Sequence, residues 1–142
     1  MHRLRRKIRL ACRHWPVFLH AGLVVLVFRI GLFIFPYRKL KNWVPAASGA
    51  KGSELQLWLA MWAVDHTARL IPKATCLTQA LAAQYLCARG GRETHIRIGV
   101  IRDGTSMRAH AWLVEDERVL IGGAEENLEH FTTLTNLGRT AS

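Results

Sequence analysis

The chain has 142 residues, of which 50% are hydrophobic and 21% are charged. That length suits one domain with its own core, and that composition excludes a disordered chain. The net charge of +10 is uneven, because residues 1–43 carry ten basic residues and no acidic one, whereas residues 44–142 carry ten of each. The basic region is interleaved with apolar residues and lacks polar base-reading side chains, so we expect no nucleic-acid partner.

The cysteines indicate the compartment. Cys12, Cys76 and Cys87 are an odd number without a disulfide framework, which favours a reducing compartment such as the cytoplasm. No Cys/His cluster has the spacing of a zinc site, and no glycine loop has the spacing of a phosphate site. We therefore predict neither a metal nor a bound cofactor.

Residues 1–45 form a basic and apolar region, which we call the N-terminal arm and predict to be helical. Residues 15–37 within it are almost wholly apolar over the length of a membrane span, although Arg29 would oppose insertion. Three interpretations stay open: helices packed on the domain with a basic face left for a partner, a segment on a membrane surface, and a cleaved signal peptide. Pro36 is predicted to break the helix. Residues 46–142 are predicted to be the core domain, with a linker at 45–52 at its start.

Two helices are predicted to follow the linker. Ser53 and Gln56 form a capping-box pattern that begins the first, which runs to about Leu70. We expect the tryptophans of this helix to pack in the core. They belong to a set of large residues that share one helix face: Leu55, Trp58, Leu59, Trp62 and His66. Thr75 can cap the second helix, and residues 76–88 are apolar nearly all round, which is typical of a helix buried in the middle of a domain.

The periodicity then changes from helical to alternating. Strands are predicted at 95–102, 109–114 and 119–121, with a two-residue turn at Asp116 and Glu117. Helices followed by an antiparallel meander indicate the α+β class. Residues 124–142 are acidic and then rich in threonine, and they are predicted to be a surface return and a loose tail.

Cys76 begins the second helix, and His110 lies in the middle strand. The unpaired N–H groups and the dipole at a helix N-terminus favour a thiolate, and an imidazole within reach can take the thiol proton. Backbone N–H groups at Cys76 and Leu77 would face an oxyanion, and Gln79 could be a further donor. The pattern therefore predicts a cysteine nucleophile and a histidine base.

A third group should orient the imidazole. A two-residue turn at Asp116 and Glu117 would place Gly122 or Gly123 opposite His110, and neither has a side chain. The orienting group could instead be Glu125 or Glu126 folding back, or a backbone carbonyl, or be absent in a Cys–His dyad. The sequence pattern does not choose among these.

Three segments carry a resemblance to a known family: Cys76-Leu77-Thr78-Gln79-Ala80-Leu81, Ile96-Arg97-Ile98-Gly99-Val100 and Ala109-His110-Ala111-Trp112. In order and spacing they resemble the B-type leader peptidases of lasso-peptide biosynthesis, a branch of the transglutaminase-like cysteine proteases. The resemblance implies a papain-like or transglutaminase-like α+β fold over residues 46–142, with Cys76 as nucleophile and His110 as base. At the third catalytic position this chain has glycine where an acid is common.

The same resemblance implies a reaction and partners. The reaction is hydrolysis of the leader–core bond in a ribosomally made precursor peptide. The implied partners are the precursor, a separate leader-recognition protein and a macrolactam cyclase that uses ATP. Two alternative functions remain: transfer of the acyl group to an amine, and a non-catalytic scaffold associated with a membrane.

Overall fold

The computed structural model describes residues 2–71, 75–122 and 132–137. Helices occupy the first two thirds of the chain and strands the last third: α1 His2–Arg13, α2 Trp15–Ile34, α3 Tyr37–Leu40, α4 Glu54–Leu70, α5 Cys76–Arg89, β1 His95–Asp103, β2 Ser106–Glu115, β3 Arg118–Ile121 and β4 Thr132–Leu137. A 3-10 turn at Lys41–Trp43 follows α3. The predicted α+β class is confirmed.

The four strands form one sheet in the order β3-β2-β1-β4, and its paired strands are all antiparallel. The two-residue turn is confirmed, since Glu115 pairs with Arg118 and Asp116 and Glu117 both have positive φ. The prediction of a loose tail is wrong for residues 132–137, which form β4. This strand pairs with β1, a contact distant in sequence that no local pattern reveals.

The predicted starts of α4 and α5 are confirmed. The Gln56 backbone N–H donates to Ser53 Oγ over 3.2 Å, and the Gln56 side chain accepts from the Ser53 N–H over 3.0 Å. At α5 the backbone N–H of Thr78 donates to Thr75 Oγ1 over 3.3 Å. These bonds satisfy N–H groups that would otherwise lack an acceptor at each helix start.

α5 lies at the centre of the molecule, as its composition predicts. Residues 80–83 are fully buried, and they belong to one hydrophobic core with Ala111 and Leu113 of β2. α2 and α4 pack against α5 in the same core through Val25 and Val64. α5 therefore joins the helices to one face of the sheet, while α2 packs on α4 and α5.

The expectation that both α4 tryptophans pack in the core is wrong. The buried face of α4 contains Leu57, Met61 and Val64, whereas Trp58 is 52% exposed. Trp62 is half-buried, with its ring 5.5 Å from that of Trp58. α4 has two apolar stripes, and only packing against α2 and α5 decides which of them is buried.

The N-terminal arm contributes to the core. Ala21, Val25 and Phe28 of α2 are buried against α4 and α5, and α2 ends at Ile34, just before the predicted break at Pro36. α2 is also long and apolar enough to cross a membrane by length and composition. The core is continuous across the proposed boundary at residues 45 and 46, which falls in a segment without helix or strand.

A buried ion pair between Arg92 and Glu115 links the β2–β3 hairpin to the segment that follows α5. The Arg92 guanidinium donates to both Glu115 carboxylate oxygens over 2.8 and 2.9 Å, and each residue is only 4% exposed. Arg92 also donates to the Gly52 carbonyl over 2.8 Å, while Arg118 donates to Glu115 over 2.7 Å. Burial raises the pKa of Glu115, but the hydrogen bonds from Arg118 and Arg92 outweigh it and hold that pKa below its ordinary value.

Candidate active site

Cys76 occupies the first position of α5. Thr75 caps the helix and fixes the direction in which the chain enters it, and Thr78, which bonds to Thr75, is fully buried. The Cys76 side chain is half-buried and packs against the hydrophobic core. The Cys76 side chain is therefore held at a capped helix start and is only partly buried.

Cys87, on the same helix, lies in a different environment. It is buried, and burial, assisted by the negative charge of Glu115, raises the pKa of its thiol to about 12. A thiol of that kind stays protonated and unreactive near neutral pH. Cys12 is exposed on α1, so Cys76 alone of the three combines a helix N-terminus with partial exposure.

His110 lies in β2, where it pairs with Gly99 of β1. Its half-buried ring stacks on that of Trp112, with ring centroids 6.0 Å apart and planes 20° from parallel. This contact joins residues two apart on a strand, whose side chains point to the same face. Trp112 is buried and gives the imidazole a fixed support.

The Nε2 atom of His110 is hydrogen-bonded to the carbonyl oxygen of Gly122. A carbonyl oxygen only accepts, so Nε2 carries the proton and Nδ1 is the basic nitrogen. One of the orienting groups considered from sequence, a backbone carbonyl, thus contacts the imidazole. Glu125, Glu126 and Gly123 lie outside the described residues.

Gly122 can adopt its position because it lacks a side chain. Its φ is +87°, and an added Cβ would lie 2.9 Å from the Ala111 carbonyl oxygen and 3.1 Å from Trp112 Cβ. A shift in register precedes it, because Leu113 pairs with Ile121 whereas Val114 pairs with Val119. The extra residue in β3 and the left-handed conformation of Gly122 together place the Gly122 carbonyl within hydrogen-bond distance of His110.

The two predicted catalytic residues come from elements that pack together, α5 and β2. Ala111 and Leu113 point toward α5, so strand alternation places His110 and Trp112 on the other face of the sheet. Within the described residues, β3 pairs with β2 only from Leu113 to Glu115. His110 therefore lies where β2 extends past β3. A Cys76–His110 contact stays a prediction.

The two residues named as oxyanion or substrate contacts lie on the first turns of α5. Leu77 and Gln79 are both half-buried. The N–H of Gln79 is used in the helix, donating to the Thr75 carbonyl over 3.1 Å. Its side-chain amide is therefore the group that could serve a substrate. The N–H groups of Cys76 and Leu77 come before this first intrahelical donor, so they have no acceptor within the helix.

Replacing Gly122 with alanine is expected to destabilise the fold by about 1–3 kcal/mol, because the methyl group meets backbone that cannot move freely. Urea unfolding followed by circular dichroism measures this. Gly49→Ala is the matched control, since Gly49 has a φ of +83° but nothing within 4 Å of an added Cβ. Equal losses in the two variants would show that the close contact at Ala111 and Trp112 contributes nothing.

Comparison with known proteins places this arrangement in a family. Residues 22–136 match the family model described as the transglutaminase-like superfamily. No curated protein and no solved structure gives a significant match. The superfamily typically contains cysteine peptidases and acyltransferases. The match runs from within α2 through most of β4, with Cys76 and His110 inside it. The chain belongs to the transglutaminase-like superfamily.

Proposed function

We propose that the chain is a cysteine peptidase that removes the leader from a ribosomally made lasso-peptide precursor. The observation that carries the proposal is a half-buried cysteine at the capped N-terminus of a central helix, in a chain of the transglutaminase-like superfamily. The precursor specificity rests on the resemblance of the segments around Cys76, Gly99 and His110 to B-type leader peptidases.

In the proposed reaction, Nδ1 of His110 takes the proton of the Cys76 thiol. The hydrogen bond from Nε2 to the Gly122 carbonyl supports this assignment, because it holds the tautomer in which Nδ1 accepts. The Trp112 ring restrains the imidazole. The Gly122 carbonyl is then the orienting group, in place of a carboxylate.

The thiolate attacks the carbonyl carbon of the scissile bond, and the negative charge passes to the carbonyl oxygen. The N–H groups of Cys76 and Leu77 and the Gln79 amide are the proposed donors to that oxyanion. The imidazolium returns its proton to the leaving amine as the C–N bond breaks, leaving a thioester on Cys76. Water, deprotonated by His110, hydrolyses the thioester and regenerates the thiol.

The proposed partners are the precursor peptide, a separate leader-recognition protein and an ATP-using macrolactam cyclase. The cytoplasm is the proposed location, since all three cysteines are free thiols. The N-terminal arm is the part that would contact a membrane. Acyl transfer to an amine is the second candidate function, because the thioester can react with an amine as with water.

The test is incubation of the purified chain with a candidate precursor and its recognition protein, followed by mass spectrometry. Hydrolysis gives a free leader carboxylate, whereas transfer gives a leader joined to the added amine. An intact precursor after long incubation with the complete set of partners would contradict both functions.

The Glu125→Gln/Glu126→Gln variant is expected to keep leader removal within a few fold of the unchanged chain, if the Gly122 carbonyl is the orienting group. His110→Ala is expected to reduce the rate by at least about a hundredfold, the range for loss of a general base. Initial rates by mass spectrometry compare the two. A loss as large in the glutamine variant would identify one of those glutamates as the orienting acid.

A further inference from the structure

The outward side of α2 is an apolar surface. Its large hydrophobic residues recur every three or four positions, and all of them are exposed; we call this set the α2 stripe, and it consists of Trp15, Leu19, Leu23, Leu26, Ile30 and Phe33. Phe33 is 82% exposed. The opposite side of the same helix is buried against α4 and α5. A soluble domain rarely presents such a continuous stripe without something to cover it.

Basic residues lie at both ends of this stripe. α1, which precedes it, is a basic amphipathic helix, and all its described side chains are exposed, including the apolar Leu4 and Ile8. At the other end of α2 lie Arg38, Lys39 and Lys41, also exposed. Residues 1–43 contain no acidic residue. An apolar stripe with cations at both ends suits an anionic membrane surface. The stripe can face the acyl chains while the cations at each end meet negative headgroups.

We propose that α1 and α2 bind the chain to anionic lipid, with α2 lying in the plane of the interface and the α2 stripe facing the acyl chains. The proposal does not depend on the peptidase activity. Trp15 near the start of the stripe suits the headgroup level, where aromatic rings are enriched. A protein partner would not require one sign of charge at both ends of the stripe, whereas an anionic bilayer attracts cations along the whole length.

The in-plane orientation follows from the packing of α2. A spanning helix would expose Ala21, Val25 and Phe28 to lipid, but these residues are buried against the rest of the domain. Arg29, which would oppose insertion of a spanning helix, is half-buried and lies outside the stripe. In the plane of the interface, the core stays intact and Arg29 need not enter the acyl layer.

The experiment is flotation of the full chain with phosphatidylcholine vesicles, with or without about one third phosphatidylglycerol, at low and high salt. We expect the chain to float with the anionic vesicles and to be released by salt, since each interfacial cation contributes to binding. Sodium carbonate at alkaline pH is expected to extract it. A chain that stays at the bottom with anionic vesicles would overturn the proposal, and resistance to carbonate would overturn the in-plane orientation.

Two variants with matched controls separate the contributions. Leu23→Gln/Phe33→Gln should weaken binding by roughly tenfold or more, because two side chains lose their burial in acyl chains. Leu70→Gln/Met107→Gln, which changes two exposed apolar residues outside the arm, should bind as the unchanged chain does. Equal binding by all three proteins would overturn the proposal.

The cations are tested in the same way. Arg5→Gln/Arg9→Gln on α1 should also weaken binding by roughly tenfold or more. Arg69→Gln/Arg89→Gln, with the same change in net charge on α4 and α5, should not. If the α1 and α4–α5 variants lose the same affinity, net charge rather than the arm controls binding, which overturns the assignment of the surface.

Discussion

Replacing Cys76 with alanine is expected to reduce leader removal by at least about a thousandfold, as loss of a nucleophile does in other acyl-transfer enzymes. Without the sulfur no thioester forms, and the remaining oxyanion donors give only residual acceleration. Initial rates measured by mass spectrometry, with the recognition protein present, provide the comparison. Cleavage by Cys76→Ala at the unchanged rate would exclude the proposed mechanism.

Cys87→Ala is the control within the same helix. Burial raises the pKa of the Cys87 thiol to about 12, so it supplies no thiolate near neutral pH, and its loss should leave the rate per folded molecule almost unchanged. Iodoacetamide gives a readout that is independent of any substrate. In a Cys12→Ser background, which removes the exposed thiol of α1, label should appear on Cys76 and not on Cys87.

His110 can be tested by the same labelling. If its imidazole takes the Cys76 proton, His110→Ala should slow alkylation of Cys76 at neutral pH. An unchanged alkylation rate would show that His110 does not reach the thiol.

Glu115→Gln is expected to lower the free energy of unfolding by about 3 kcal/mol or more, since it leaves the buried Arg92 charge without its principal partner. Arg92 would keep bonds to the Gly52 carbonyl and to Glu54, which places the loss toward the lower end of the range for broken buried pairs. Urea unfolding measures it.

Glu117→Gln is the matched control on the same hairpin. Its exposed carboxylate pairs with Arg97, and an exposed pair contributes under about 1 kcal/mol. Equal destabilisation by the two glutamine variants would contradict the assigned importance of burial. The double variant Arg92→Met/Glu115→Met should recover much of the loss, because it removes both charges together.

The same pair makes stability depend on pH. The pKa of Glu115 in the folded chain is lowered by Arg118 and Arg92, so its contribution is present above the ordinary glutamate pKa and is lost as pH falls below it. Cys87 acts in the opposite range. Its raised pKa means that its contribution is present below the ordinary thiol pKa of 9.0 and is lost as pH rises toward about 12.

The local features of this chain could be predicted from its sequence. The caps at Ser53 and Thr75, the turn at Asp116 and Glu117 and the burial of α5 were all confirmed. Each depends on residues a few positions apart, or on composition around a whole helix. For the same reason the position of Cys76 at a helix N-terminus was available from sequence.

The remaining features depend on partners that are far apart in the chain. Tertiary packing decided three of these features: the pairing of β4 with β1, the burial of the α4 face that contains Leu57 and Met61 instead of Trp58, and the Arg92–Glu115 ion pair. The Gly122 carbonyl reaches His110 because of a register shift and a left-handed turn. Sequence alone therefore determined where α4, α5 and β1 begin and which residues could react, since those follow from short-range hydrogen bonds and periodicity. Tertiary structure decided which faces are buried and which groups meet, because burial is shared among elements and no single segment contains that information.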